Sequence, residues 1–382
     1  MFLRTLPIYL VFLLMGIADA MGPLSSRVSK EYFSDDPLMA ALIPSFVFIA
    51  FALFSVPGGV MAARMGKKKL LLLGLGLCAA ATAVPALINP PFAMLLAAIF
   101  LLGVGTTFLQ VAGNPIMRDV CAEGDYSRNL ALAQGVKGLG STASAYFVTA
   151  VTSITLLATM GWRGAFPVFS LLMALAFVWV VMLRIDETEP EVPPSIGNSL
   201  ALLKTPAFAL AVLGIFLYVG AEVCMATFLK PALTARGFGE KSAALFGPSL
   251  FFGALTVGRL IAGTLKVSPR TFFRLSALLG VTGLAMLIFN VKVLVIPAVV
   301  IGGLGFANIW PMLFSITVEE KPERASELSG LMCMAISGGA LVPLLMGWRG
   351  GGANAAAFVV PAVCFLYLTW LSMKKPRTTD CG

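Results

Sequence analysis

The sequence predicts an all-α membrane protein of twelve transmembrane helices in two pseudo-symmetric six-helix bundles. Three observations predict it. The 382 residues are 59% hydrophobic and only 12% charged, far outside the composition of soluble domains. Apolar runs of spanning length, about 20 residues each, recur along the whole chain between charged or Gly/Pro clusters. One long polar stretch, ETEPEVPPSIGNS at 187–199, divides the chain into near-equal halves.

The first span is expected at 6–29. Arg4, an apolar run and Ala18-Asp19-Ala20 imitate a secretory signal, but the apolar segment continues to Val28 and many spans follow, so it reads as an uncleaved helix. Spans at 38–63, 70–88, 92–117, 131–157 and 165–184 complete an N-terminal bundle over 1–186. Residues 187–204 form a linker. Spans at 206–229, 242–265, 272–290, 293–316, 327–347 and 354–373 make a C-terminal bundle over 205–382. The halves echo each other: Gly113-Asn114-Pro115 lies in the fourth span and Asn308-Ile309-Trp310-Pro311 in the tenth.

Charge sets the orientation. With the N-terminus inside, 19 of the 27 Lys and Arg residues fall on the cytoplasmic side, which the positive-inside rule requires. Both termini and the linker are therefore expected in the cytoplasm. The net charge of +9 is a topology signal and implies no nucleic acid. The chain has no histidine, the commonest metal ligand and the usual base near neutral pH. Its six cysteines show no CxxC spacing and read as small apolar fillers. No metal, no cofactor and no enzymatic activity are expected.

A charge inside a bilayer is costly, so each intramembrane one is a functional candidate. Asp19, Glu222 and Lys137 are the candidates for ion coupling. Tyr218 lies four residues before Glu222, which puts a hydroxyl and a carboxylate on one helix face. Gln134, Lys137 and Ser141 form a polar stripe on the fifth span; Lys137 either snorkels to the headgroups or balances Asp19 or an anionic solute. Gln110, Asn114 and Arg118 recur every four residues on the fourth span, and neutral amides orient hydroxyls without the cost of burying a charge. Pro115 and Pro311 each free a backbone carbonyl four residues earlier, tolerable where a cavity or a neighbouring helix satisfies it. Trp310 either stacks on a sugar face or packs.

After the second span, Gly59-Val-Met-Ala-Ala-Arg64-Met-Gly66-Lys67-Lys68-Lys69 makes a basic turn. It resembles the cytoplasmic G-x-x-x-D-R-x-G-R-K signature of the major facilitator superfamily, with Ala63 where the signature has its acid. Further segments resemble the fucose:proton symporter family of that superfamily: Leu132-Ala133-Gln134, Gln110 before Asn114-Pro115, Tyr218-Val-Gly-Ala-Glu-Val223, Gly258-Arg259, Pro311-Met-Leu-Phe-Ser315 and Ser337-Gly-Gly-Ala-Leu-Val-Pro343. The resemblance runs nearly end to end. It implies twelve helices, rocking alternating access, and uptake of hexoses or deoxyhexoses with a proton or sodium ion.

Two places depart from that family, which has acids where Pro23 and Gln110 stand here. Asp19, one turn before Pro23, is expected to take over the carboxylate role. The reading is a monomeric symporter of the bacterial inner membrane. It binds a hexose-type sugar through Gln110, Asn114, Gln134, Tyr218, Asn308 and Trp310, and couples it through Asp19, Glu222 and Lys137. Arg64, Gly66, Pro115, Pro311 and Arg259 are expected to serve the conformational change. The alternatives are an anionic sugar or organic acid with Lys137 as counter-charge, or export of amphipathic compounds.

Overall fold

The computed structural model describes residues 2–19, 28, 32, 37–187, 194–289 and 291–374. The first bundle comprises α1 (Phe2–Asp19), α2 (Pro37–Met65), α3 (Lys67–Leu87), α4 (Phe92–Val120), α5 (Tyr126–Thr152) and α6 (Ala165–Met182). The second begins with α7 (Pro206–Ala235), α8 (Leu250–Thr264) and α9 (Pro269–Ile288). Its tenth span is two helices, α10 (Val295–Ala307) and α11 (Ile309–Glu319). The eleventh is also two, α12 (Ala325–Met334) and α13 (Gly338–Trp348), and α14 (Val359–Met373) closes the bundle.

Among the described residues, ten segments are long and apolar enough to cross a membrane. The apolar run of α1, Thr5–Ala18, is shorter. The helix α5 has 27 residues but carries the Gln134, Lys137 and Ser141 stripe. That stripe faces protein: a Cβ built on Gly16 of α1 would lie 2.0 Å from the Lys137 carbonyl oxygen, and one on Gly140 of α5 would lie 2.2 Å from Leu13 O. Small residues thus bring α1 and α5 into backbone contact. Every residue of α4 from Leu102 to Met117 is buried, as befits a helix in the middle of a bundle. By contrast, α6 exposes Leu171, Leu175, Val178 and Trp179, an apolar face suited to lipid.

Several helices extend past their apolar runs. The third span starts at Lys67 instead of residue 70, the fifth at Tyr126 instead of 131, and the seventh runs on to Ala235. Polar residues continue a helix without contributing to hydropathy, so the runs underestimate the ends. The expected continuous spans eight, ten and eleven are interrupted. A π turn at Leu245–Ser249, containing Gly247 and Pro248, leads into α8. The tenth breaks at Asn308 (φ −107°, ψ 5°), and a 3-10 turn at Ala335–Ser337 interrupts the eleventh.

The described residues of the linker form a strap across one end of the molecule. Gly66, at φ +99°, turns the chain into α3, and the Glu187 carboxylate accepts from the amides of Lys67 (2.5 Å) and Lys68 (3.0 Å). A carboxylate there complements the positive end of the helix dipole. Arg64 Nε donates to Pro194 O at 2.8 Å, and Ser195 caps the short helix Ile196–Ala201. On the other half, Arg324 donates to Asn198 O at 3.0 Å, and Ser199 donates to Glu327 at 2.9 Å while Arg324 pairs with Glu327. Lys67 and Asp119 form a second pair, each side chain under 5% exposed. Removing one partner of a buried pair strands the other charge. Asp119→Asn is therefore expected to lower stability by about 3 kcal/mol, read as a lower thermal midpoint in detergent.

Candidate functional site

The predicted polar residues meet in a seam between the two halves. In the first half, Lys137 Nζ donates to Gln110 Oε1 at 3.0 Å, and Gln134 Nε2 donates to Asn114 Oδ1 at 3.4 Å. The spacing of four on α4 and three on α5 sets these two rungs one turn apart. Gln110, Asn114 and Gln134 are all buried, at 3%, 0% and 3% exposure. Arg118, expected to continue the polar edge of α4, turns away to pair with Glu319 at 2.7 Å. It lies at the helix end, where it stays partly hydrated.

In the second half, Tyr218 and Glu222 share a face of α7, and Arg259 of α8 joins them. Its Nη2 donates to the Tyr218 hydroxyl at 3.1 Å and stands 3.7 Å from Glu222. Nη1 reaches Gln134 O in the first half at 3.5 Å, and Nε donates to Ala307 O at 3.0 Å. That last carbonyl is the one Pro311 frees, because proline has no N–H to give it.

The other proline shows the same solution. Pro115 leaves Val111 O without its helical partner, and Ser329 Oγ of α12 donates to it at 2.7 Å from the opposite half. Cys333, one turn further along α12, receives the Asn114 amide at 4.0 Å and faces Ser329 at the same distance. Both proline-freed carbonyls are thus satisfied by side chains of neighbouring helices, which is how non-helical backbone survives at membrane depth.

Asn308 sits in the break of the tenth span and donates to Gly258 O at 3.3 Å. Trp310 stacks on Phe314, ring centroids 5.8 Å apart. Asp19 closes α1, and its side chain lies outside the described residues. Arg64 and Gly66 belong to the strap, remote from the seam. Ser329 and Cys333 escaped the sequence reading because a serine and a cysteine in an apolar run look like fillers; a spacing of four on one helix was the only signal they gave.

The seam joins amides, one amine and a tyrosine–glutamate–arginine cluster between two helical halves, and the description of the Major Facilitator Superfamily matches residues 6–343. The chain belongs to the Major Facilitator Superfamily. Among its relatives in the superfamily, a glucose/galactose transporter of Brucella abortus is 28% identical over 380 residues, covering 95% of this chain and 92% of its own. The L-fucose-proton symporter of Escherichia coli is 22% identical, over 93% and 89%. The fold is that of the crystal structure of an Escherichia coli fucose:proton symporter variant, with a TM-score of 0.84 at 19% identity over 96% and 97% of the two chains. Like its superfamily, the chain is a multi-pass membrane transporter and not an enzyme.

Proposed function

We propose that this transporter takes up a hexose-type sugar together with a proton or sodium ion across a bacterial inner membrane. The carrying observation is the seam itself. Gln110, Asn114 and Gln134 offer amides that both donate and accept, which suits hydroxyls, and the amides lie between two halves able to rock about them. The names of the relatives support the same substrate class. Residues 1–186 and 205–382 are the two moving bodies, joined by the 187–204 linker, and the strapped end with its basic loops faces the cytoplasm with both termini. The protein acts as a monomer.

Asp19 and Glu222 are the carboxylates that couple the ion. Protonating a carboxylate within a membrane span removes a desolvation cost, so the ion biases which end opens. Lys137 holds Gln110 and sets the charge balance of the site. Purified protein in proteoliposomes is expected to accumulate labelled hexose when a proton or sodium gradient is imposed, and Asp19→Asn is expected to keep sugar exchange while losing accumulation. Absence of hexose flux under either gradient overturns the sugar reading; accumulation by Asp19→Asn overturns the coupling role.

A further inference from the structure

The two halves carry the same arrangement at the corners where their third and sixth helices meet. α3 packs against α6, and α9 packs against α14. Lys68, the second residue of α3, donates from Nζ to Val181 O at 2.8 Å, next to the end of α6. Arg270, the second residue of α9, donates from Nη1 to Lys374 O at 3.4 Å, just past the end of α14. The last turn of each sixth helix has an exposed tryptophan, Trp179 in α6 and Trp370 in α14. A cation follows each of them, Arg184 and Lys374. Arg270 also stands 3.7 Å from Glu320, close in the chain to Arg324 of the strap, so both corners lie at the strapped end.

Tryptophan concentrates where hydrocarbon gives way to headgroups, and around Trp370 that depth is cationic. Lys374 Nζ lies over its ring, 4.1 Å from the centroid. Tyr367 packs against the same ring at 5.5 Å while its hydroxyl donates to Leu210 O. Arg274 follows Arg270 one turn along the same face of α9 and is exposed together with Leu275 and Leu278. On α14, Val363 and Leu366 are exposed as well. Among the described residues, neither Arg274 nor Lys374 has a carboxylate within ion-pair distance. The α3–α6 corner is closer to neutral, because Asp186 and Glu187 follow Arg184 in the chain and Glu187 holds the amides of Lys67 and Lys68.

Topology alone is satisfied by cations anywhere in the loops of this end. It does not require one to be seated on a tryptophan and another to be tied to the neighbouring helix. Cations at headgroup depth beside an exposed apolar surface complement a phospholipid of net negative charge, whose phosphate takes charge-assisted bonds while its acyl chains lie along the leucines. We propose that the α9–α14 corner binds the headgroup of an anionic phospholipid from the leaflet at the strapped end. Arg274 and Lys374 meet the phosphate, and Arg270 positions the two helices. The site is separate from the seam and holds whatever solute the seam carries.

The test is lipid retention by purified full-length protein in detergent, titrated with phosphatidylglycerol or phosphatidylcholine and read by native mass spectrometry. Phosphatidylcholine has the same phosphate but brings its own cation. Wild type is expected to prefer phosphatidylglycerol at least tenfold. Arg274→Gln with Lys374→Gln, both at exposed positions, is expected to weaken phosphatidylglycerol about 25-fold, at about fivefold for each charge removed from the membrane surface. Lys241→Gln with Lys292→Gln removes the same charge elsewhere on the second half and is expected to change nothing. Equal retention of the two lipids by wild type overturns the site, as does equal weakening by the two variant pairs, which means a diffuse effect of net charge. Displacement of phosphatidylglycerol by millimolar inorganic phosphate, at constant ionic strength, means a site for a soluble anion and overturns the lipid reading.

Discussion

Arg259→Lys is expected to reduce sugar transport by about 100-fold or more, with the protein still inserted. Arg259 is 7% exposed, and its guanidinium meets the Ala307 carbonyl, the Tyr218 hydroxyl, the Glu222 carboxylate and, across the halves, the Gln134 carbonyl. Arginine spreads five donors over a planar fork; lysine is a point charge with three donors on one atom. A lysine cannot reach α10, α7 and α5 together, so at least two buried acceptors lose their partner. At about 1–3 kcal/mol for each, the expected loss is on the order of 3 kcal/mol, or two decades. Counterflow in proteoliposomes, normalised to the amount of protein inserted, measures it; activity within threefold of wild type would refute the bridging role.

The same geometry separates structure from function. Pro311→Ala restores an N–H for Ala307 O and so removes one of the duties of Arg259. In the Arg259→Lys background, Pro311→Ala is expected to raise the thermal midpoint without restoring transport. On the role proposed for the seam, transport also depends on the cluster with Tyr218 and Glu222 and on the tie to Gln134, which a continuous helix does not supply.

Much of this was legible in the sequence, and the reason is periodicity. Spacing of three or four residues tells which side chains share a helix face, so the Tyr218–Glu222 pair, the two α4 amides and the Gln134–Lys137 stripe emerged from one chain. Proline chemistry likewise announced that Val111 and Ala307 would lose their helical bonds. Periodicity says nothing about which helices touch. Ser329 and Cys333 meet α4 from more than 200 residues away, and Arg259, read only as part of a Gly-Arg pair serving the conformational change, became the hub of four acceptors. The breaks in spans eight, ten and eleven were invisible because hydropathy counts side chains and not backbone bonds. Arg118 misled for a related reason: its face was right, but a cation at a helix end found the nearer Glu319.

The second large effect concerns closure of the strapped end. A Cβ built on Gly59 of α2 would lie 2.7 Å from Ser326 O and 3.1 Å from Gly330 Cα, and one on Gly330 would lie 2.7 Å from Ser55 O. The neighbours are backbone atoms, which cannot step aside singly, so a side chain there must push α2 and α12 apart. Overpacking of this kind typically costs about 1–3 kcal/mol, enough to shift a two-state equilibrium by roughly five- to 150-fold. The strain falls on the state in which this end is closed and is released when it opens, so Gly59→Leu biases the protein toward opening at the strapped end. Cys333, three residues beyond Gly330 and fully buried against Asn114, reports that opening without any introduced label site. Its alkylation by a small thiol reagent, followed by mass spectrometry of the Cys333 peptide, is expected to accelerate at least tenfold in Gly59→Leu, with sugar binding retained and transport reduced. Transport lost with Cys333 as protected as in wild type would mean that the α2–α12 contact is a packing site and not the gate.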